Sequence, residues 1–256
     1  MGRQKDRRSP AGAAKAPTYK VLNALLARAN ARGMPDAVEG RVRTALAARI
    51  AAAEASDRPS AELCDDLASG AEALSLAEAT REQIEREEPE LLDTLACSSG
   101  CAWCCIFLEG DGGLISEAEA VALHTALSPF AGTADGRDWH PEACAALDPA
   151  TRLCRAYDAR PMICRTFVST DAAACRENAE GGDADGSGTI GNHVDYLTAL
   201  ALSREALKGR RKVSTYNLQR LAIAAAEGTA LAESLTAARH GSAELPRTCE
   251  DFADSI

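Results

Sequence analysis

Eight of the ten cysteines fall between Cys97 and Cys175, and four of those sit in the nine residues "CSSGCAWCC". A hydrophobic core has no need of adjacent cysteines. Four sulfurs packed so closely are better suited to holding a metal. Whatever fold the chain takes must bring its middle third around those thiols. The chain shows no export signal, and it is read as cytoplasmic. In a reducing compartment clustered cysteines serve as metal ligands or redox groups rather than disulfides. Cys64 and Cys249 stand apart and are read as small buried apolar residues.

The first cluster runs C-x3-C-x2-C-C over Cys97, Cys101, Cys104 and Cys105. On a helix these four would span an arc of about 100°. Ser98, Ser99 and Gly100 favour a turn instead. In either geometry the sulfurs can converge. Thiolates are the soft ligands that zinc and iron–sulfur clusters prefer. Cys104 and Cys105 point in different directions, so one of them is free to serve a second metal or a distant half of the site.

A second cluster follows: Cys144, Cys154, Cys164 and Cys175, nearly evenly separated. This spacing does not place them on one helical face and implies a folded-over loop. Within it lies C-x2-Y-x2-R-P-x2-C-R-x-F, formed by Cys154, Tyr157, Arg160, Pro161, Cys164, Arg165 and Phe167. Pro161 stops regular structure before Cys164. Arg155, Arg160 and Arg165 are expected to surround the thiols with positive charge, which favours thiolates.

The two motifs together resemble the bacterial cysteine-cluster proteins of the CxxCxxCC type, described as zinc- or iron-chelating. The resemblance covers about a third of the chain, Cys97 to Cys175. It implies a metal site built from Cys97, Cys101, Cys104, Cys105, Cys144, Cys154 and Cys164, with Cys175 as the eighth ligand. Tyr157, Arg160 and Arg165 would frame the bound cofactor, zinc or an iron–sulfur cluster, together with Pro161 and Phe167. The first gap here is three residues, where the family name implies two. One branch of that family resembles flagellin lysine N-methylases. Cys97, Cys101 and Cys104, with Trp103, also resemble the motif of radical S-adenosylmethionine enzymes. That family would require a partial βα barrel after the motif, and the chain reads as helix there.

The rest of the sequence is helical in pattern. Apolar residues make up 46% of the chain and aromatics only 4%, so helices packed through alanine are expected. Helices are predicted over 19–31, over 36–56 and from Ser60, as N-cap, towards residue 95, interrupted at Gly70. Another follows Ser116, with Glu119 completing a capping box. Two more are predicted over 192–209 and 214–237. The expected fold is mainly α, with helical arms flanking a small, irregular, metal-organised domain with little β. Its segments are a disordered basic tail (1–17), a helical region (18–94), the cysteine domain (95–191), C-terminal helices (192–240) and a polar tail (241–256).

Other function classes find less support. A net charge of −10 disfavours nucleic acid unless a local basic patch overrides it. No apolar run is long enough to span a membrane. The acidic stretch 57–93 is read as a solvated face, or else as a docking surface for a basic protein partner. "DADGSGTIGNHV", Asp183 to Val194, imitates a calcium loop but ends on Val194 where a bidentate glutamate belongs. Of the four scattered histidines, His140 is the best placed as an extra ligand. There is no dinucleotide fingerprint, phosphate loop or nucleophile elbow. Three readings remain: a metal-chelating protein using up to eight thiolates, an iron–sulfur enzyme acting on a protein or small substrate, and a structural zinc module.

Overall fold

The computed structural model describes residues 16–108 and 110–253; most of the basic tail and the last three residues lie outside it. The protein is mainly helical, as expected. The N-terminal region holds α1 (Tyr19–Leu26), α2 (Asp36–Ala55), α3 (Ser60–Ser69), α4 (Ala71–Glu87) and α5 (Pro89–Asp93). Helix α1 is capped by the Thr18 hydroxyl. Pro59 occupies the cap of α3 where Ser60 was expected, and Ser60 is the first helical residue. Gly70 separates α3 from α4 with φ +88°. A side chain there would collide with Ser116, so only glycine admits both the left-handed turn and this close approach.

The middle of the chain supplies β1 (Leu114–Ser116), α6 (Glu117–Leu127), α7 (Met162–Thr166), β2 (Phe167–Ser169), α8 (Ala172–Ala179) and β3 (Ser187–Thr189). The end supplies α9 (Asn192–Ala206), β4 (Thr215–Asn217), α10 (Leu218–Ala226), α11 (Leu231–Ala238) and α12 (Glu244–Ala253). Strand β1 pairs antiparallel with β4, Ile115 opposite Tyr216. Strand β2 pairs antiparallel with β3, Val168 opposite Gly188. Among the described residues these two-stranded ribbons are the only sheets, so the strands form no radical-enzyme barrel.

Helix α9 organises the first core. Every residue from Asn192 to Ser203 is buried, which is the pattern of a helix enclosed on all sides. Helices α1, α2, α3, α4, α7 and α12 pack around it. Two of its polar side chains reach neighbouring helices: Asp195 pairs with Arg41 and Thr80, and the Asn192 amide donates to the Ala77 carbonyl. A second core joins β1, α6, α10 and α11 to the Ala143–Leu147 stretch. Helical segments from both sides of the cysteine region in the chain pack into these two cores.

The segment 241–256, expected to be a polar tail, contains α12, with Leu245 and Cys249 buried against the first core. Its few apolar residues fall on one face, a pattern diluted by the charges between them. Cys64 and Cys249 are both buried, as read from the sequence. The calcium-like stretch places Ser187–Thr189 in β3 rather than in a helix-flanked loop. Much of the acidic 57–93 stretch is paired within the chain: Asp66 and Glu72 with Arg58, Asp65 with Arg211, and Glu85 with Arg81. No helix among the described residues is long and apolar enough to cross a membrane.

Candidate metal centre

The first cysteine loop is a succession of turns. Cys101 N–H donates to the Ser98 carbonyl at 3.1 Å. Gly100 and Ala102 both take left-handed φ values, +77° and +54°. A single 3-10 turn, Trp103–Cys105, then presents the adjacent cysteines. The chain leaves this turn alongside the second loop. Ile106 and Ala143 form an antiparallel bridge, and Cys144 N–H donates to the Cys105 carbonyl at 2.7 Å. Backbone bonds thus fix Cys105 beside Cys144.

The second loop folds back on itself, as its cysteine spacing implied. Leu147 and Cys154 form another antiparallel bridge, and Arg155 N–H reaches the Ala146 carbonyl at 2.8 Å. The turn between them is held by Asp148, whose Oδ1 accepts from the Thr151 amide and hydroxyl, both at 2.9 Å. Gly136 packs directly under the Cys144 carbonyl, where a side chain would collide. Pro161 then starts α7, which carries Cys164. The Glu119 carboxylate accepts the Met162 N–H at 2.6 Å, clamping α7 to the capped end of α6.

Cys175 comes from α8, capped by the Asp171 side chain. This helix docks on the first loop: the Arg176 guanidinium lies 5.4 Å from the Trp103 ring centre. The Ser169 carbonyl accepts the Ala96 N–H at 2.8 Å and has the Cys97 sulfur 3.8 Å away.

The thiols influence one another across both loops. Cys175 is raised by burial first, then by the fields of Cys101, Cys104 and Cys97. Burial also dominates at Cys144, raised to about 12, and at Cys164, raised well above its ordinary value. Both feel Cys154 and Cys104, and Cys164 feels Cys144 as well. Cys105 is raised well above the usual thiol range by its hydrogen bond to Cys104, by burial, and by the nearby Cys104, Cys144 and Cys164. Cys104 is correspondingly lowered, because its sulfur accepts that bond; Arg160 helps. It is open to solvent on one side, although neighbouring atoms crowd it. By backbone placement an inner group of Cys105, Cys144, Cys154 and Cys164 meets an outer group of Cys97, Cys101, Cys104 and Cys175 at the doubled cysteine, where Cys104 acts on both.

The predicted framework residues part company. Arg160 stacks on Tyr157, 3.7 Å from its ring centre, and its charge lowers Cys104 and opposes the burial that raises Cys154. Tyr157 is 60% exposed and supports Arg160 from the solvent side. Arg165 instead pairs with Glu78 of α4 at 2.8 Å, and Arg155 pairs with Asp148 at 3.1 Å. Those two arginines fasten the loops rather than surround the thiols. His140 uses its Nδ1 locally, accepting the Glu142 N–H at 3.2 Å.

Sequence reading missed Glu119 as a part of the site. Its capping-box position was visible, but its reach to Met162 spans forty-three residues. No three His, Cys, Asp or Glu side chains among the described residues stand in ligating geometry around one point. The fit to a metal rests instead on donor chemistry and placement: eight thiols on loops that backbone bonds bring together.

Residues 96–184 match the model of the CxxCxxCC family, described as a "putative zinc- or iron-chelating domain". The match spans both cysteine loops and α8. No curated protein and no solved structure matches the chain.

Proposed function

We propose that the protein chelates zinc or iron at two adjoining four-thiolate sites, one within each group of cysteines. The inner site takes Cys105, Cys144, Cys154 and Cys164. The outer site takes Cys97, Cys101, Cys104 and Cys175. The observation that carries this reading is the backbone placement of the loops: Cys144 N–H bonds to the Cys105 carbonyl and Cys154 is bridged to Leu147, while α8, bearing Cys175, docks on the first loop through Arg176 and Trp103.

Four thiolates complete a structural zinc site or an iron–sulfur site, leaving no open position on a zinc ion. Zinc would act as a crosslink between the loops, and an iron–sulfur centre would add electron-transfer chemistry. The chain's own contribution is to neutralise and orient. Loading either group requires its thiols to lose their protons, including the one between Cys104 and Cys105. Arg160 offsets part of the negative charge that results. Glu119 and the two backbone bridges hold the loops in register.

Anaerobic purification followed by metal and acid-labile sulfide analysis tests this. Two ions, or two centres, per chain are expected. Cys164→Ser and Cys175→Ser should each remove one and leave the other. Loss of both on either substitution would show a single merged site, and a metal-free chain would remove the chelation reading.

A further inference from the structure

Away from the cysteines, the chain "LKGRRKV" between α9 and β4 borders a cleft of about 650 Å³. Arg204, Lys208, Arg210, Arg211 and Lys212 put five cations into nine residues with one carboxylate, Glu205. This is the local basic patch that a net charge of −10 makes unexpected. The opposite wall comes from the turn after α11, with His240, Gly241 and Ser242.

Arg204 is the informative residue. Its side chain is half-buried, and burial, foremost, lowers its hold on its proton against the opposing influence of Cys249 and Glu205. Yet among the described residues its bonds go only to the Val213 and Ser242 carbonyls and the Thr215 hydroxyl, at 3.2–3.4 Å. A half-buried guanidinium whose hydrogen bonds all go to neutral oxygens is well suited to receive a counter-charge. Two of its neighbours are already paired, Lys208 with Glu205 and Arg211 with Asp65. Arg210 and Lys212 are exposed and have no carboxylate partner among the described residues.

We infer that this cleft binds a small phosphate-bearing molecule, with Arg204 at its floor and Arg210 and Lys212 at its mouth. Guanidinium and hydroxyl donors suit phosphate oxygens. The surroundings favour a compact anion over a nucleic-acid strand. Glu205, Asp65 and Asp111 pair with Lys208, Arg211 and His240 of its lining, so a polymer leaving it would meet negative charge. The site is independent of the cysteine motifs, whose family match ends at residue 184.

Calorimetric titration of the full metal-loaded chain at low ionic strength tests the inference, with inorganic phosphate and fructose 1,6-bisphosphate as probes. Saturable one-to-one binding is expected, tighter for the bisphosphate and weakened by salt. The exposed pair Arg210→Glu with Lys212→Glu should weaken it roughly tenfold or more. The charge-keeping pair Arg210→Lys with Lys212→Arg should preserve it. Thermal unfolding of each variant confirms that the fold is intact. Absence of saturable binding by both probes would overturn the inference, as would an unchanged affinity after charge reversal. Tighter binding of single-stranded RNA, increasing with strand length, would assign the cleft to a polymer and contradict it equally.

Discussion

The Glu119 carboxylate accepts the Met162 amide at 2.6 Å, joining two residues forty-three positions apart. The same carboxylate caps its own helix through Ser116 and takes the Tyr196 hydroxyl. One buried side chain thereby links α6, the central α9 and the start of the helix that carries Cys164. Glu119→Ala would strand the Met162 N–H and the Tyr196 and Ser116 hydroxyl protons in the core, while the Ser116 N–H keeps the Tyr196 oxygen. The expected cost is about 3–5 kcal/mol, seen as a lower denaturant midpoint. Metal affinity should fall roughly 10–100-fold with it. Glu119→Gln keeps an acceptor and should lose less of both. Unchanged metal binding in the alanine variant would show that the clamp does not serve the inner site.

The doubled cysteine offers a second test. In metal-free protein kept reduced near neutral pH, Cys104 should be alkylated fastest of the ten cysteines, because its thiol is lowered and open to solvent. Mass spectrometry after a short exposure to iodoacetamide reads the order. Arg160→Gln should slow Cys104 a few-fold. Arg165→Gln should leave its rate alone, since that guanidinium is engaged with Glu78. Equal slowing by both would contradict the assignment of Arg160 as the cation that acts on the thiols.

His193 sets a pH dependence away from the metal. It is enclosed between Tyr196 and Phe252, with ring centres 5.7 and 4.6 Å away, and burial lowers it to about 4. The folded state keeps it neutral, whereas the unfolded chain protonates it near 6.5. Stability from this group is therefore complete above pH 6.5 and is lost as pH falls towards 4. The loss approaches about 3 kcal/mol across that window. His193→Phe should flatten this part of the stability profile relative to the wild type, a difference that cancels the metal's own acid sensitivity.

A backbone test concerns the turn beneath Cys144. Gly136→Ala should lower stability by about 1–3 kcal/mol, because the new methyl group meets the Cys144 carbonyl and Leu147. Thermal unfolding measures it; a neutral substitution would mean that the turn can shift without disturbing the thiols.

Much of this was legible in the sequence because it depends on local pattern. The capping box of Ser116 and Glu119, the break at Gly70 and the clustering of eight cysteines are each visible within short windows. The sequence did not show which arginine faces the thiols. Arg165 adjoins Cys164 in the chain and Arg160 stands farther off, yet Glu78 of α4 takes the Arg165 side chain and leaves Arg160 to act on the thiols. Helix α12 was obscured because Leu245 and Cys249 are its only buried residues. The approach of the two cysteine loops follows from a long-range bridge, Ile106 to Ala143, which no local spacing encodes.

X-ray absorption at the edge of the bound metal, on anaerobically purified protein, bears most directly on the central claim. Two four-thiolate sites predict an all-sulfur first shell, with about four sulfurs at ~2.3 Å for zinc. A shell containing nitrogen or oxygen, or fewer than four sulfurs per ion, would contradict the assignment of all eight cysteines as ligands.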